Sequence, residues 1–213
     1  MKDPYVYEDT GTLINKLGIK DYKELRQAEA DITFSRLITI EKDVKFKEFN
    51  VEYLKNIHKY ILGDIFDWAG EFRTVPMEKP EEILGGDTIR YAYPSEIEKQ
   101  IEKYIKELNN TNWQEKNTEQ KSLEFTKLLA GLWQVHPFRD GNTRTTMAYA
   151  FKFAKEHGFE MNEDIILKHF GYVRNAFVKA SDGPYAEYKF LDHIIRDSIE
   201  IKKERARDER WQI

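Results

Sequence analysis

The chain of 213 residues contains no cysteine. That excludes disulfide scaffolding, a thiol nucleophile and any metal site built on thiolates. It also lacks an apolar run near the roughly 20 residues that a membrane-spanning helix needs. A basic surplus is missing too: 34 Lys and Arg stand against 38 Asp and Glu, for a net charge of −4. A dedicated nucleic-acid binder is therefore not expected, because its footprint is usually basic. The opening MKDPYVYEDTG is polar and acidic, unlike a secretory signal, so the expected address is the cytoplasm and no membrane partner is expected. No internal repeat or low-complexity tract appears. With 40% hydrophobic and 34% charged residues, the composition is that of a globular chain. It suits one domain with at most a short appendage, long enough to bury a core without staples.

What is present is mostly helical rhythm. Asp21 and Glu24 stand in capping-box spacing before a segment running to Ile40. Phe49, Tyr53, Ile57, Tyr60 and Ile61 recur at steps of three and four. Pro94 opens a stretch whose Ile97, Ile101, Tyr104, Ile105 and Leu108 share a face, and Asn109-Asn110 is a plausible stop. Asn117 and Gln120 form a second capping pair before a largely apolar helix. Helical patterns resume at 143–157, 162–179 and 186–204, and residues 201–213 read as a charged, solvated helical tail. Residues 71–93 break the rhythm with two prolines, Gly85-Gly86 and β-prone runs at Phe72–Met77 and Thr88–Tyr93, the makings of a hairpin. The expected fold is all-α with one small β-hairpin. Residues 1–45 form an N-terminal helical segment and 46–200 the main domain.

One stretch carries chemistry. Between two helical patterns stands VHPFRDGNTRT, residues 135–145. The first helix should end near Val135, because His136 precedes proline and is pushed away from helical geometry. Asp140-Gly141-Asn142 is turn chemistry. Taken singly, each residue has an ordinary structural account: a linking loop, a satisfied histidine, a surface ion pair. Taken together they are the parts of phosphoryl or nucleotidyl transfer. The N-terminus of the following helix, reached through Gly141, Asn142 and Thr143, points free N–H groups at an anion. Arg144 can fork onto phosphate oxygens. Asp140 is a hard oxygen ligand suited to Mg²⁺. His136 can take a proton from a hydroxyl near neutral pH. The spacing matches no Walker A loop, zinc motif or calcium loop.

His136-Pro137-Phe138-Arg139-Asp140-Gly141-Asn142-Thr143-Arg144 resembles the signature of the Fic family. Asp67-Trp68-Ala69-Gly70-Glu71-Phe72-Arg73 looks like that family's approach to its flap hairpin, and Asn15–Ile19 with Ala28-Glu29-Ala30 looks like the N-terminal part of its adenylyltransferase members. The resemblance implies a mainly helical fold. It also implies transfer of AMP from ATP to a Ser, Thr or Tyr of a protein target, for which bacterial topoisomerases and small GTPases are candidates. By it, His136 would be the base and Asp140 the Mg²⁺ ligand. Gly141, Asn142, Thr143, Arg144 and Lys79 would hold the nucleotide, and Phe138 would anchor the loop. Met77, Glu78 and Lys79 would dock the target chain. Tyr185 and Tyr188 fall where the family often borders its adenine pocket.

Two positions depart from the pattern. Thr143 stands where glycine, or lysine in a kinase-like branch, is usual. Met147 stands where many members have a second, γ-phosphate arginine, so the expectation is weaker ATP binding, an altered nucleotide preference, or compensation by a residue such as Arg139 or Lys79. The family's inhibitory helix motif has no full match; Thr74–Lys79 and Thr111–Lys116 fit only in part. Such restraint would have to come from a separate small antitoxin. The rival readings are a protein kinase or other nucleotide-dependent phosphotransferase on the same scaffold, and a binding module whose site has decayed.

Overall fold

Helix starts follow the capping chemistry. In the computed structural model, which describes residues 3–45 and 47–210 and the last six of these by backbone alone, the Asp21 side chain accepts from the Glu24 N–H at 2.9 Å and opens α1, Tyr22–Asp43. Asn50 caps α2, Val51–Leu62, in the same way. Asn117 and Gln120 make the reciprocal box at the start of α4, Thr118–Val135. Each cap satisfies N–H groups that the first turn leaves without an acceptor. Between α2 and α4 lies α3, Ile97–Asn110, entered through Pro94. After α4 come α5, Asn142–Glu156; α6, Glu163–Lys168; α7, Phe170–Ala180; and α8, Lys189–Arg210. The architecture is all-helical.

Helix α4 is the hub, packing against α3, α5, α7 and α8, while α2 packs against α1, α3 and α5. Its apolar sides are buried: Leu129, Leu132 and Trp133 are core residues, and Phe125 meets an aromatic cluster of Trp113, Phe153 and Phe159. Fully burying one such aromatic contributes about 2–3 kcal/mol. The result is a rigid frame in which the C-terminus of α4 and the N-terminus of α5 meet at the loop 136–141. Helix α1 lies against α2 and α5, and its buried side chains are not all apolar: Leu25 is joined by Glu29 and Thr33.

Three sequence expectations are revised. The N-terminal segment is helical only from Tyr22; before it the described chain is irregular, with a single bridge between Val6 and Leu13. The pattern at 162–179 is two helices broken at His169. The hairpin forms no strands. Residues 71–93 form two irregular arms joined through a single 3-10 turn, Glu82–Leu84, and the arms meet at one antiparallel bridge, Pro80 with Thr88, plus the Glu81 N–H to Asp87 carbonyl bond at 2.9 Å. Pro76 and Pro80 supply no N–H to a ladder. The charged tail continues α8 to Arg210, and residues 211–213 lie outside the described residues.

Candidate active site

His136 ends α4 in the left-handed region, φ 50° and ψ 59°, the single non-glycine residue with positive φ among the described residues. Several contacts hold it there. The buried Arg73 donates from Nε to the His136 carbonyl at 2.8 Å and from Nη2 to the Val135 carbonyl at 3.4 Å. The Arg73 N–H bonds the Pro137 carbonyl at 2.8 Å. A cation at a helix C-terminus is favourably placed against the helix dipole. The same guanidinium also reaches the carbonyls of Val75 and Ala92 at the two ends of the 71–93 excursion. Tyr91 stacks on the His136 ring at 4.1 Å between centroids, and Trp133 meets it edge-on at 5.2 Å.

The rest of the loop is stapled from within. Asn142 accepts from the Phe138 N–H at 2.9 Å and donates to its carbonyl at 2.8 Å. Phe138 is buried and stacks on His58 at 3.7 Å. His58 Nδ1 accepts from the Gly70 N–H at 2.8 Å, so its Nε2 carries the proton and donates to the Asp140 carbonyl at 3.0 Å. Gly141 turns at φ 78°, and a Cβ there would sit 2.2 Å from Leu62 Cδ1. Only glycine fits this bend. Beyond it, the N–H groups of Asn142, Thr143 and Arg144 form the open first turn of α5.

These groups face one cavity of about 350 Å³. His136, Asp140, Gly141, Asn142, Thr143, Arg144 and Lys79 all line it, together with Arg26 and Arg174. Its far side is apolar, made by Ala30, Phe34 and Leu37 of α1 with Leu167 and Phe170. Burial, then Lys79 and Arg73, pushes His136 down to about 3, and its Nδ1 is buried without a partner among the described residues. The ring is therefore neutral at pH 7 and available as an acceptor. Burial alone would raise the Asp140 carboxyl, but Arg144 and Arg26 outweigh it and hold the group below its ordinary value. Among the described residues no three His, Asp or Glu side chains cluster as a metal cage. One carboxylate suits a Mg²⁺ that arrives on phosphate oxygens, since that ion is bound by one or two carboxylates plus substrate phosphates.

Several side chains sit differently from expectation. Asn142 spends its amide on the loop, leaving only its backbone N–H for a ligand. The Thr143 hydroxyl accepts from Trp133 Nε1 at 2.9 Å, which gives this position a structural use for a threonine. Arg144 turns toward α1, where it pairs with the buried Glu29 and donates to Thr33 Oγ1 at 2.9 Å. Arg139 faces away from the cavity and pairs with Asp3 at 2.7 Å, so it offers no compensation for Met147. Met147 itself is buried and does not line the cavity. Tyr185 and Tyr188 lie outside it as well, and the apolar wall falls to Leu167 and Phe170. Glu78 and Glu115, the carboxylates of the two partial inhibitory matches, are exposed and do not line it. Met77 is half-buried, Glu78 and Lys79 are exposed, and the backbone of Met77 and Glu78 makes no hydrogen bond among the described residues.

Residues 48–154, half of the chain, match the Fic/DOC family. The protein adenylyltransferase VbhT of Bartonella schoenbuchensis is 28% identical over 200 residues, covering 92% of this chain but only 39% of that relative. Two solved structures share the fold. The N-terminal Fic domain of a cell filamentation protein from Bartonella quintana, with bound ADP, aligns with a TM-score of 0.76 at 23% identity, over 91% of this chain and 93% of that one. BepC from Bartonella tribocorum, with bound AMPPNP, aligns at 0.71 and 24% identity, over 91% of this chain and 95% of that one.

Proposed function

The chain belongs to the Fic/DOC family, and from that premise we propose that it transfers AMP from ATP to a Ser, Thr or Tyr hydroxyl of a target protein. One observation carries the reading: a neutral, buried imidazole and the open N-terminus of α5 face the same cavity, with a carboxylate between them. Relatives named protein adenylyltransferase and neighbours holding ADP and AMPPNP support it.

His136 accepts the proton of the target hydroxyl, whose oxygen bonds to the α-phosphorus. The bond from that phosphorus to the β-phosphate oxygen breaks, and pyrophosphate leaves. The first-turn N–H groups of α5 receive the charge that builds on the α-phosphate. Bound at Asp140, Mg²⁺ would neutralise the phosphates. Burial and nearby cations hold the base low, at about 3. An anionic nucleotide offsets Lys79, Arg73 and Arg174, three of the groups that depress it, so the imidazole grows more basic as substrate binds, nearer the operating pH. The nucleoside rests on the apolar wall of Phe34, Leu37, Leu167 and Phe170. The unpaired backbone at Met77 and Glu78 takes the target chain as an added strand.

The test is label transfer. Purified protein with Mg²⁺ and candidate targets should incorporate label from α-labelled ATP and lose this in His136→Ala, while that variant still melts cooperatively above the assay temperature. Incorporation from γ-labelled ATP alone would assign phosphate transfer instead. No incorporation from either label would point to a binding module.

A further inference from the structure

Helix α1 lies outside the residues that match the family, yet it lays one face along the cavity. Arg26, Ala30, Thr33, Phe34 and Leu37 all line it, at helical spacing. The face is graded: its cation lies at the Asp140 end and its apolar residues at the other. From Arg26 to Phe34 is about 12 Å of helix at 1.5 Å per residue, enough to run from a nucleoside to its outer phosphates.

We propose that Arg26 is a specificity-determining residue that grips the outer phosphates of the bound nucleotide. This rests on the reading of the cavity as a nucleoside triphosphate site. Two arginines flank one buried carboxylate there. Glu29 pairs with Arg144 on one oxygen and with Arg26 on the other, the latter at 3.0 Å. The two guanidinium groups are differently placed. Arg144 is 13% exposed and held by Glu29 and Thr33, with Asp140 at 3.8 Å. Arg26 is 48% exposed and held through Nη1 alone, to Glu29 and to Asp140 at 3.3 Å. Its Nε and Nη2 bond nothing among the described residues, so one edge of the fork is open. A guanidinium with a free edge, aimed from its far side by carboxylates, is suited to bidentate contact with phosphate.

Charge requires such a group. Of the cations lining the cavity, Arg174 is bound to the buried Glu81 at 2.7 Å and Arg144 to Glu29. Arg26 is paired too, but through Nη1 alone, so its open edge and Lys79 remain to meet a polyphosphate. Arg26 neighbours Asp140, where the chain of phosphates leads away from His136, and no other lining arginine is as exposed.

The experiment is isothermal titration of the full chain, unaltered and as Arg26→Ala and Arg26→Lys, with ATP, ADP and AMP in the presence of Mg²⁺. Arg26→Ala should weaken ATP at least tenfold and leave AMP within twofold of the unaltered chain, with Arg26→Lys between. Equal loss for ATP and AMP, or no loss for ATP, overturns the proposal while leaving the cavity a nucleotide site. Failure of the unaltered chain to bind any of the three overturns the nucleotide reading as well. Should Arg26→Ala not fold, Arg26→Gln keeps the stem and gives the same comparison.

Discussion

Lowering the pH from 7 to 5 should destabilise this protein through two buried imidazoles. His58 is fully buried and His136 nearly so, and burial pushes them down to about 4 and about 3. In the unfolded chain each titrates near its ordinary 6.5. Their folded-state values lie below the unfolded ones, so the stability they confer is present above 6.5 and is lost as the pH falls toward 4 and 3. At pH 5 each unfolded ring is nearly fully protonated and each folded ring nearly neutral, which costs roughly 2 kcal/mol per ring, about 4 kcal/mol for the pair. Glu163, raised by burial, opposes the loss at the acid end of this window, and Asp140 adds to it only at lower pH. Urea unfolding at pH 7.5, 6.5, 6.0, 5.5 and 5.0 measures the slope directly. Between pH 6 and 5 it should be about 2.5 kcal/mol per unit, and His136→Ala should cut it by about half. The other histidines are common to both proteins and cancel in the difference. A slope unchanged by His136→Ala, or a flat profile, would refute the claim that the ring is buried and neutral in the fold.

Three further outcomes follow from the loop. Gly141→Ala must place a Cβ against Leu62 at a positive φ; it should lower stability by about 2–3 kcal/mol and abolish transfer, read by thermal melt and label assay. Asn142→Ala strands the Phe138 N–H and carbonyl; the expected loss is about 1–3 kcal/mol in urea unfolding. Arg73→Lys keeps the charge but cannot span the four carbonyls that the guanidinium holds; kcat should fall with little change in KM for ATP, since the ring of His136 is displaced while the phosphate cradle is not.

The helix boundaries were legible because they are local. Asp21, Asn50 and Asn117 sit within three residues of the N–H groups they cap. The loop 136–144 was legible for the same reason. The hairpin is legible as alternation, but its stopping at a single bridge is not, because the competing partner is distant in the chain. Arg73 takes the Val75 and Ala92 carbonyls that a ladder would use, and their separation from the α4 terminus is more than 40 residues. Arg26, Glu29 and Thr33 were missed as site residues because they meet the loop across more than 100 residues. The sole trace was a carboxylate and a threonine on the buried side of α1. His58 had a fainter one, a histidine on a helix face otherwise made of Tyr53, Leu54, Ile57 and Ile61.

Arg73 joins the excursion to His136 through a single planar group. Whatever tugs the excursion, an incoming chain included, is transmitted to His136 along rigid bonds. A badly registered guest would tilt the imidazole before any chemistry begins. In the proposed reaction, fidelity toward the guest would be wired into the same joint that holds the imidazole.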